Sequence, residues 1–241
     1  MQPKKISLFC LPCAGASATM YLRWKRLLPK WIDIIPLELP GRGTRSDETL
    51  IKNFNELTTE LYRQVIYQLP KHYAFFGHSM GGLLCYGLAA KLQIEKKHLP
   101  QSLFVAACAA PSERNQQRFT QSRDRLYLIN DLRQQGGTPP EFFEHQEMLD
   151  FTLNLLEADY NVCESFCYQK DLPLNAPIHV LGGDNDGIQP FQLEAWQKES
   201  SSHFSLQWFK GGHFFIREHE NAVLNTITRC LEKNDSTPLY S

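Results

Sequence analysis

The sequence predicts one α/β domain with a mainly parallel central sheet flanked by helices. Three observations predict it. Short apolar runs alternate with segments of helical periodicity along most of the 241 residues. Glycine- or proline-bearing turns close those runs, as at Pro12, Pro40-Gly41 and Gly211-Gly212. The run Gly77-His78-Ser79-Met80-Gly81 stands between an apolar segment and a helical one. At this length a single domain over 1–241 is the expectation.

The elements follow in order. Ile6 to Leu11 reads as a buried strand that stops at Pro12, before the small, turn-prone Cys13-Ala14-Gly15-Ala16-Ser17. Tyr21 to Leu28 has the spacing of a crossing helix, and Ile32 to Leu39 forms the next strand, ending at Pro40-Gly41-Arg42-Gly43. Leu57, Leu61, Val65 and Leu69 recur every four residues, so the spacing predicts a helix from Phe54 to Leu69. Tyr73 to Phe76 is a strand. After the turn at Ser79, Leu83, Leu84, Tyr86, Leu88 and Leu92 mark a helix, and Leu103 to Ala110 another core strand. From about 114 to 170 charged residues become frequent and Gly136-Gly137-Thr138-Pro139-Pro140 breaks the pattern, which marks an insertion whose Phe142 to Tyr168 portion is amphipathic and helical. Strands resume at Ile178 to Leu181 and Phe204 to Phe209, and Ala222 to Leu231 closes the fold as a helix.

Composition bounds the function. A chain that is 42% hydrophobic and 21% charged supports a packed core. Its net charge of −1 supplies no field to attract nucleic acid or an anionic membrane. Seven scattered cysteines do not form a disulfide framework. Cys163 and Cys167 are four apart but lack a second Cys or His pair at zinc-like spacing, so no metal is expected. Met1 to Lys5 leads straight into the first strand without a long apolar run or a cleavage site, which reads as a cytoplasmic protein with reduced thiols. A monomer is expected.

The chemistry centres on Ser79. A serine hydroxyl needs a base to remove its proton, and it must project toward substrate and base together. The pattern Gly-x-Ser-x-Gly between strand and helix provides that turn, and identifies the α/β-hydrolase fold. The base should follow the last strand, in the chain order Ser, acid, His. Among eight histidines His213, directly behind Gly211-Gly212, occupies that place. His78 adjoins the nucleophile and should pack away from it. Leu181-Gly182-Gly183-Asp184-Asn185-Asp186-Gly187-Ile188-Gln189-Pro190 offers two carboxylates. Asp186, three after a glycine and four before a proline, is favoured to orient the imidazole, with Asp184 bracing the turn. Two backbone amides should hold the oxyanion: that of Met80, and that of Ala14 in the loop after the first strand.

Together these motifs resemble the type II (external, editing) thioesterases that accompany nonribosomal peptide and polyketide synthetases. The resemblance runs nearly end to end. It rests on Leu11-Pro12-Cys13-Ala14-Gly15, Leu37-Glu38-Leu39-Pro40-Gly41-Arg42-Gly43, Phe76-Gly77-His78-Ser79-Met80-Gly81-Gly82, Gly136-Gly137-Thr138-Pro139-Pro140, Gly182-Gly183-Asp184-Asn185-Asp186 and Gly211-Gly212-His213-Phe214-Phe215. The Leu-Pro-Gly-Arg-Gly and Gly-Gly-Thr-Pro-Pro runs have no role in the general hydrolase pattern. The resemblance implies hydrolysis of acyl groups from the phosphopantetheine arm of carrier proteins, clearing misprimed or stalled chains. It also implies that the insertion is a helical lid. No bound cofactor is implied. The sequence departs from the family pattern at Cys13, where histidine or an aromatic is common, and at Ala16, where a second glycine is usual.

Phe142, Phe143, Met148, Leu149, Leu153 and Leu156 of the lid either line an acyl channel or pack amphipathic helices onto the core. Arg114, Arg118 and Arg123 offer positive charge to an acidic carrier helix, or form a solvated face. Three rival readings share the fold. A general carboxylesterase or lipase would turn over simple esters without regard to carriers, and a chain-releasing cyclase would replace water by an internal nucleophile. A non-catalytic carrier- or ligand-binding module would usually lack a member of the triad.

Overall fold

The computed structural model describes residues 4–115, 124–170 and 173–235. Its strands are β1 (Ile6–Leu11), β2 (Ile32–Pro36), β3 (Tyr73–His78), β4 (Leu103–Ala106), β5 (Ile178–Gly183) and β6 (Phe204–Phe209). They form one sheet in the order β2-β1-β3-β4-β5-β6, and each neighbouring pair is parallel. β3, β4 and β5 are buried along their whole length, which is why they read as continuous apolar runs and not as alternating ones. The register pairs Leu11 with Gly77, His78 with Ala106 and Gly183 with Phe209, so the carboxyl ends of these strands share one edge.

Helices cover both faces. On one side lie α2 (Phe54–Val65) and α3 (Met80–Ile94), whose Leu57, Leu61, Leu84 and Leu88 join the core with Phe9 and Phe75. On the other lie α1 (Trp24–Leu27) and α8 (Glu220–Asp235), where Trp24, Val223 and Ile227 pack on Ile34 and Phe76. The side chain of Asn53 caps α2 by accepting the amides of Asn55 and Glu56.

Local chemistry moved some boundaries. The helix expected from Tyr21 to Leu28 is a 3-10 turn, Ala18–Tyr21, followed by the single turn of α1. Leu28 precedes Pro29 and is extended, with ψ of 153°. Tyr21, Trp24 and Leu28 still reach the core, so the apolar spacing was real although the helix is broken. α2 ends at Val65, four residues before Leu69, which itself precedes Pro70. In the insertion, Pro140–Glu144 is a 3-10 turn and the long helix α5 is Gln146–Glu164. A helix α4 (Arg125–Gln135) precedes it; only Leu128 of its residues is buried, so no apolar stripe announced it. Short helices α6 (Pro190–Glu194) and α7 (Phe215–Glu218) complete the chain. All seven cysteines are free thiols. Among the described residues no helix is long and apolar enough to cross a membrane, and no group of three or more His, Cys, Asp or Glu could hold a metal ion.

β5 carries a buried histidine whose titration is linked to folding. His179 stacks on Phe104, with ring centroids 5.0 Å apart, and its Nδ1 lies 2.7 Å from Ser205 Oγ. Burial, aided by nearby His203, lowers its pKa from 6.5 to about 4. Unfolding restores the ordinary value and takes up a proton. Stability that is full above pH 6.5 is therefore lost as pH falls toward 4, at about 1.4 kcal/mol per pH unit. The melting temperature of the protein is expected to fall between pH 7 and pH 5, and to fall less steeply in His179→Gln. Equal slopes by calorimetry would contradict this.

Candidate active site

The strand order reverses between β1 and β3, and a crevice opens there at the carboxyl ends of the strands. Ser79 sits at this point, between the end of β3 and the start of α3. Its backbone takes φ 54° and ψ −119°, a conformation costing about 1–3 kcal/mol that the surrounding turn imposes. The Ser79 amide donates to the Ala106 carbonyl at 2.8 Å. The turn is tight enough to require its glycines: a Cβ on Gly77 would stand 2.1 Å from the Gly81 carbonyl oxygen, and one on Gly81 would stand 2.2 Å from that of Leu11.

Two amides beside Ser79 remain open. Met80 opens α3, so its N–H has no intrahelical acceptor, and it lies at the positive end of the helix dipole. Across the crevice the β1 loop turns at residues 13–16, where the Ala16 amide donates to the Cys13 carbonyl at 3.2 Å. A trans peptide sets its C=O and N–H on opposite sides, so the Cys13 carbonyl directed into the turn leaves the Ala14 N–H directed out of it. Neither the Met80 nor the Ala14 amide donates to a protein acceptor among the described residues.

His213 follows β6 and is buried. Its Nδ1 lies 3.0 Å from Asp186 Oδ2 and 3.2 Å from Oδ1. Burial works against the Asp186 carboxylate, but the His213 ring and the Gly187 amide outweigh it and hold its pKa below the ordinary value. Asp184, two residues away, instead accepts the Gly211 amide at 2.9 Å and braces the turn that carries the histidine. With Nδ1 occupied by Asp186, Nε2 is the free ring nitrogen: it is buried and has no protein partner among the described residues.

His78 does more than fill space. It is fully buried, and its Nε2 donates to the His213 carbonyl at 2.8 Å. Burial, then the neighbouring His213, pushes its pKa down to about 3, so the ring is neutral. It clamps the backbone of the histidine loop. Sequence reading gave it only a packing role.

Ser79, Met80, Ala14 and His213 line one cavity of about 520 Å³, closed on the lid side by Gln135, Tyr160 and Cys163. A second cavity of about 740 Å³ meets it at Gly187 and His213. It is polar, with Asn130, Asp131 and Gln134 of α4 facing Asn185 and Asp186. The structure places the six proposed channel residues elsewhere. Leu149, Leu153 and Leu156 form the lid's own core with Leu128 and Tyr160, Phe142 and Phe143 pack against it, and Met148 is 55% exposed. None of the six lines either cavity: Leu149, Leu153 and Leu156 pack with Leu128 of α4, Leu156 also lies against Gly15, and Val162 and Cys163 of the same helix join the main core. Arg114 does not present a charged outer face either. It lines the cavity, donates to the Cys163 carbonyl at 3.3 Å and lies over the Phe166 ring. Arg118 and Arg123 lie outside the described residues.

The two runs without a role in the hydrolase pattern acquire one. Gly137 has φ +79°, and a Cβ there would meet the Phe214 ring at 2.6 Å, while Arg217 donates to the Gly137 carbonyl at 2.8 Å. The Gly-Gly-Thr-Pro-Pro run thus rests on the residue after His213. The run around Arg42 grips the β1 loop. Buried Glu38 accepts Ser17 Oγ at 2.6 Å and the Ala18 amide at 3.0 Å, and Arg42 pairs with Asp159 of α5. Nothing in the sequence marked Asp159, a lone acid on an amphipathic helix.

The chain matches a family model described as "Thioesterase domain", over residues 6–231. The chain belongs to the thioesterase family. It is a thioester-hydrolysing serine hydrolase with the α/β-hydrolase fold. The gramicidin S biosynthesis protein GrsT of Aneurinibacillus migulanus is 32% identical over 228 residues, covering 94% of this chain and 89% of its own. Two solved structures are similar over nearly their whole length. ClbQ, from the colibactin NRPS/PKS pathway, has 29% identity and a TM-score of 0.88, covering 96% of this chain and 99% of its own. BorB, a type II thioesterase from the borrelidin biosynthetic cluster, has 31% identity and a TM-score of 0.84, covering 95% of each chain. These relatives belong, by their names, to secondary-metabolite biosynthesis, and a medium-chain S-acyl fatty acid synthase thioesterase of Rattus norvegicus is also similar, 28% identical over 95% of this chain and 89% of its own.

Proposed function

We propose that this thioesterase is a type II editing enzyme, which hydrolyses acyl groups from the phosphopantetheine arm of carrier proteins in nonribosomal peptide or polyketide synthesis. The observation that carries the mechanism is the pairing of His213 with Asp186 on a crevice that also holds Ser79 and two open amides. Ser79 Oγ attacks the thioester carbonyl as His213 Nε2 takes its proton, and Asp186 keeps the Nδ1–H directed and stabilises the imidazolium. The amides of Met80 and Ala14 receive the oxyanion. Collapse breaks the C–S bond, and the thiolate leaves with the proton from His213. Water then gives a proton to the same nitrogen, adds to the acyl-serine and releases the carboxylic acid, with Ser79 recovering its proton. No step calls on a metal or a resident cofactor.

The shape of the site and the relatives both support this substrate class. A carrier-bound thioester extends two ways from its carbonyl, one apolar or aminoacyl and the other a chain of polar amides. The two cavities that meet at His213 suit those two arms: Leu83, Ile188 and Phe191 line the first, and the amide and carboxylate side chains of α4 line the second. By their names, ClbQ comes from an NRPS/PKS pathway and BorB is a type II thioesterase of a biosynthetic cluster. We place the enzyme in the cytoplasm, acting as a monomer on a carrier partner. The test is incubation with a carrier protein bearing a short acyl group. Intact mass should show the carrier's thiol set free, and peptide mapping should show a transient acyl group on Ser79. A carrier that keeps its acyl group would overturn the proposal.

A further inference from the structure

Helix α5 of the lid inserts a carboxylate beneath the oxyanion loop. Asp159 Oδ2 accepts the Gly15 amide at 2.7 Å, and both its oxygens are held by Arg42, with Nη1 at 2.6 Å from Oδ2 and Nη2 at 2.7 Å from Oδ1. Arg42 Nη1 also donates to the Ala16 carbonyl at 3.2 Å. The side chains of the pair are 3% and 0% exposed. The peptide after Ala14 is therefore pinned by Asp159, and the carbonyl two residues on is pinned by Arg42. Leu156, one turn earlier on the same helix, packs beside Gly15: a Cβ built there would lie 3.4 Å from its Cδ1.

A fully buried ion pair contributes little stability, because desolvation offsets the attraction and well-packed apolar replacements are often neutral or stabilising. Among the described residues Arg42 Nε has no hydrogen-bond partner, which adds to the cost of burying the pair. Its consequence is geometrical. Tyr160 and Cys163, on the same helix, line the cavity beside Ser79. We infer that Arg42 and Asp159 are positioning residues, which lock the lid helix to the loop that presents the Ala14 amide and so make the oxyanion site depend on the lid being seated. This rests on the proposed function.

The test uses two paired variants and two inhibitors. Arg42→Met with Asp159→Leu removes both charges together and leaves the Gly15 amide without its acceptor. Arg42→Gln with Asp159→Asn is neutral but keeps that acceptor. The first inhibitor is a trifluoromethyl ketone analogue of an acyl-pantetheine thioester, which adds Ser79 and mimics the oxyanion. The second is the corresponding amide, which binds without reacting. Met/Leu is expected to fold, and to lose about 10- to 100-fold in kcat, with ketone affinity falling in parallel. KM and amide affinity should stay within about twofold, because ground-state contacts are untouched. Gln/Asn should recover most of the loss. Wild-type kcat and ketone affinity in Met/Leu, equal losses for ketone and amide, or a Met/Leu protein that fails to fold would each overturn the inference. Ser79→Ala separates this from the reading beneath it: ketone inhibition that survives in Ser79→Ala counts against the serine mechanism itself.

Discussion

Ser79→Ala is expected to lower kcat/KM for acyl thioesters by roughly 10⁴-fold or more, leaving only the rate contributed by binding and the oxyanion site. The loss should fall on kcat, since in the proposed mechanism the hydroxyl bonds to the carbonyl and does not hold the substrate. The variant should fold as the wild type does. The Ser79 side chain makes no capping hydrogen bond, and alanine leaves the left-handed backbone and its strain in place. Stopped-flow release of thiol, with melting temperature as the control, measures both. Comparable rates in the two proteins would remove Ser79 from the chemistry.

Asp186→Asn is expected to cost about 10³- to 10⁴-fold in kcat near neutral pH. The reason is tautomeric. The carboxylate accepts a hydrogen bond from His213 Nδ1–H and so leaves Nε2 as a base, whereas an asparagine amide can donate to Nδ1 and fix the proton on Nε2. The charge that stabilises the imidazolium is lost at the same time. Asp184→Asn retains an oxygen for the Gly211 amide and should stay within about threefold of wild type. A deeper loss at Asp184 than at Asp186 would contradict the assignment of the two carboxylates, and a flat response at both would remove the acid from the mechanism.

The residues that could be read from the sequence are those whose neighbours in the chain define their setting. Ser79 lies between glycines on a strand-to-helix junction, and His213 and Asp186 lie in turns after the last two strands. Parallel strands project such turns onto one edge, so order along the chain already implies proximity in space. The lid was harder. α4 has no apolar stripe because only Leu128 is buried, and the leucines of α5 fit an acyl channel as well as a helix packed on its neighbours. Periodicity gives the buried face of a helix but not what covers it. Asp159 was out of reach for a related reason. Its partners Arg42 and Gly15 are 117 and 144 residues away in the chain, and no local pattern distinguishes a buried acid from the many solvated ones on an amphipathic helix. The two glycine-rich runs could be picked out as unexplained. Their meaning, supports for the loops bearing His213 and Ala14, came only with the tertiary contacts.

The most direct test of the central claim compares three substrates carrying one acyl group: a carrier protein's phosphopantetheine arm, free pantetheine and a simple ethyl ester. An editing thioesterase should show its highest kcat/KM on the carrier, a lower value on pantetheine and the lowest on the oxygen ester, with Ser79→Ala inactive on all three. Fast cleavage of the ethyl ester with no advantage for the carrier-bound group would contradict the account and describe a general esterase.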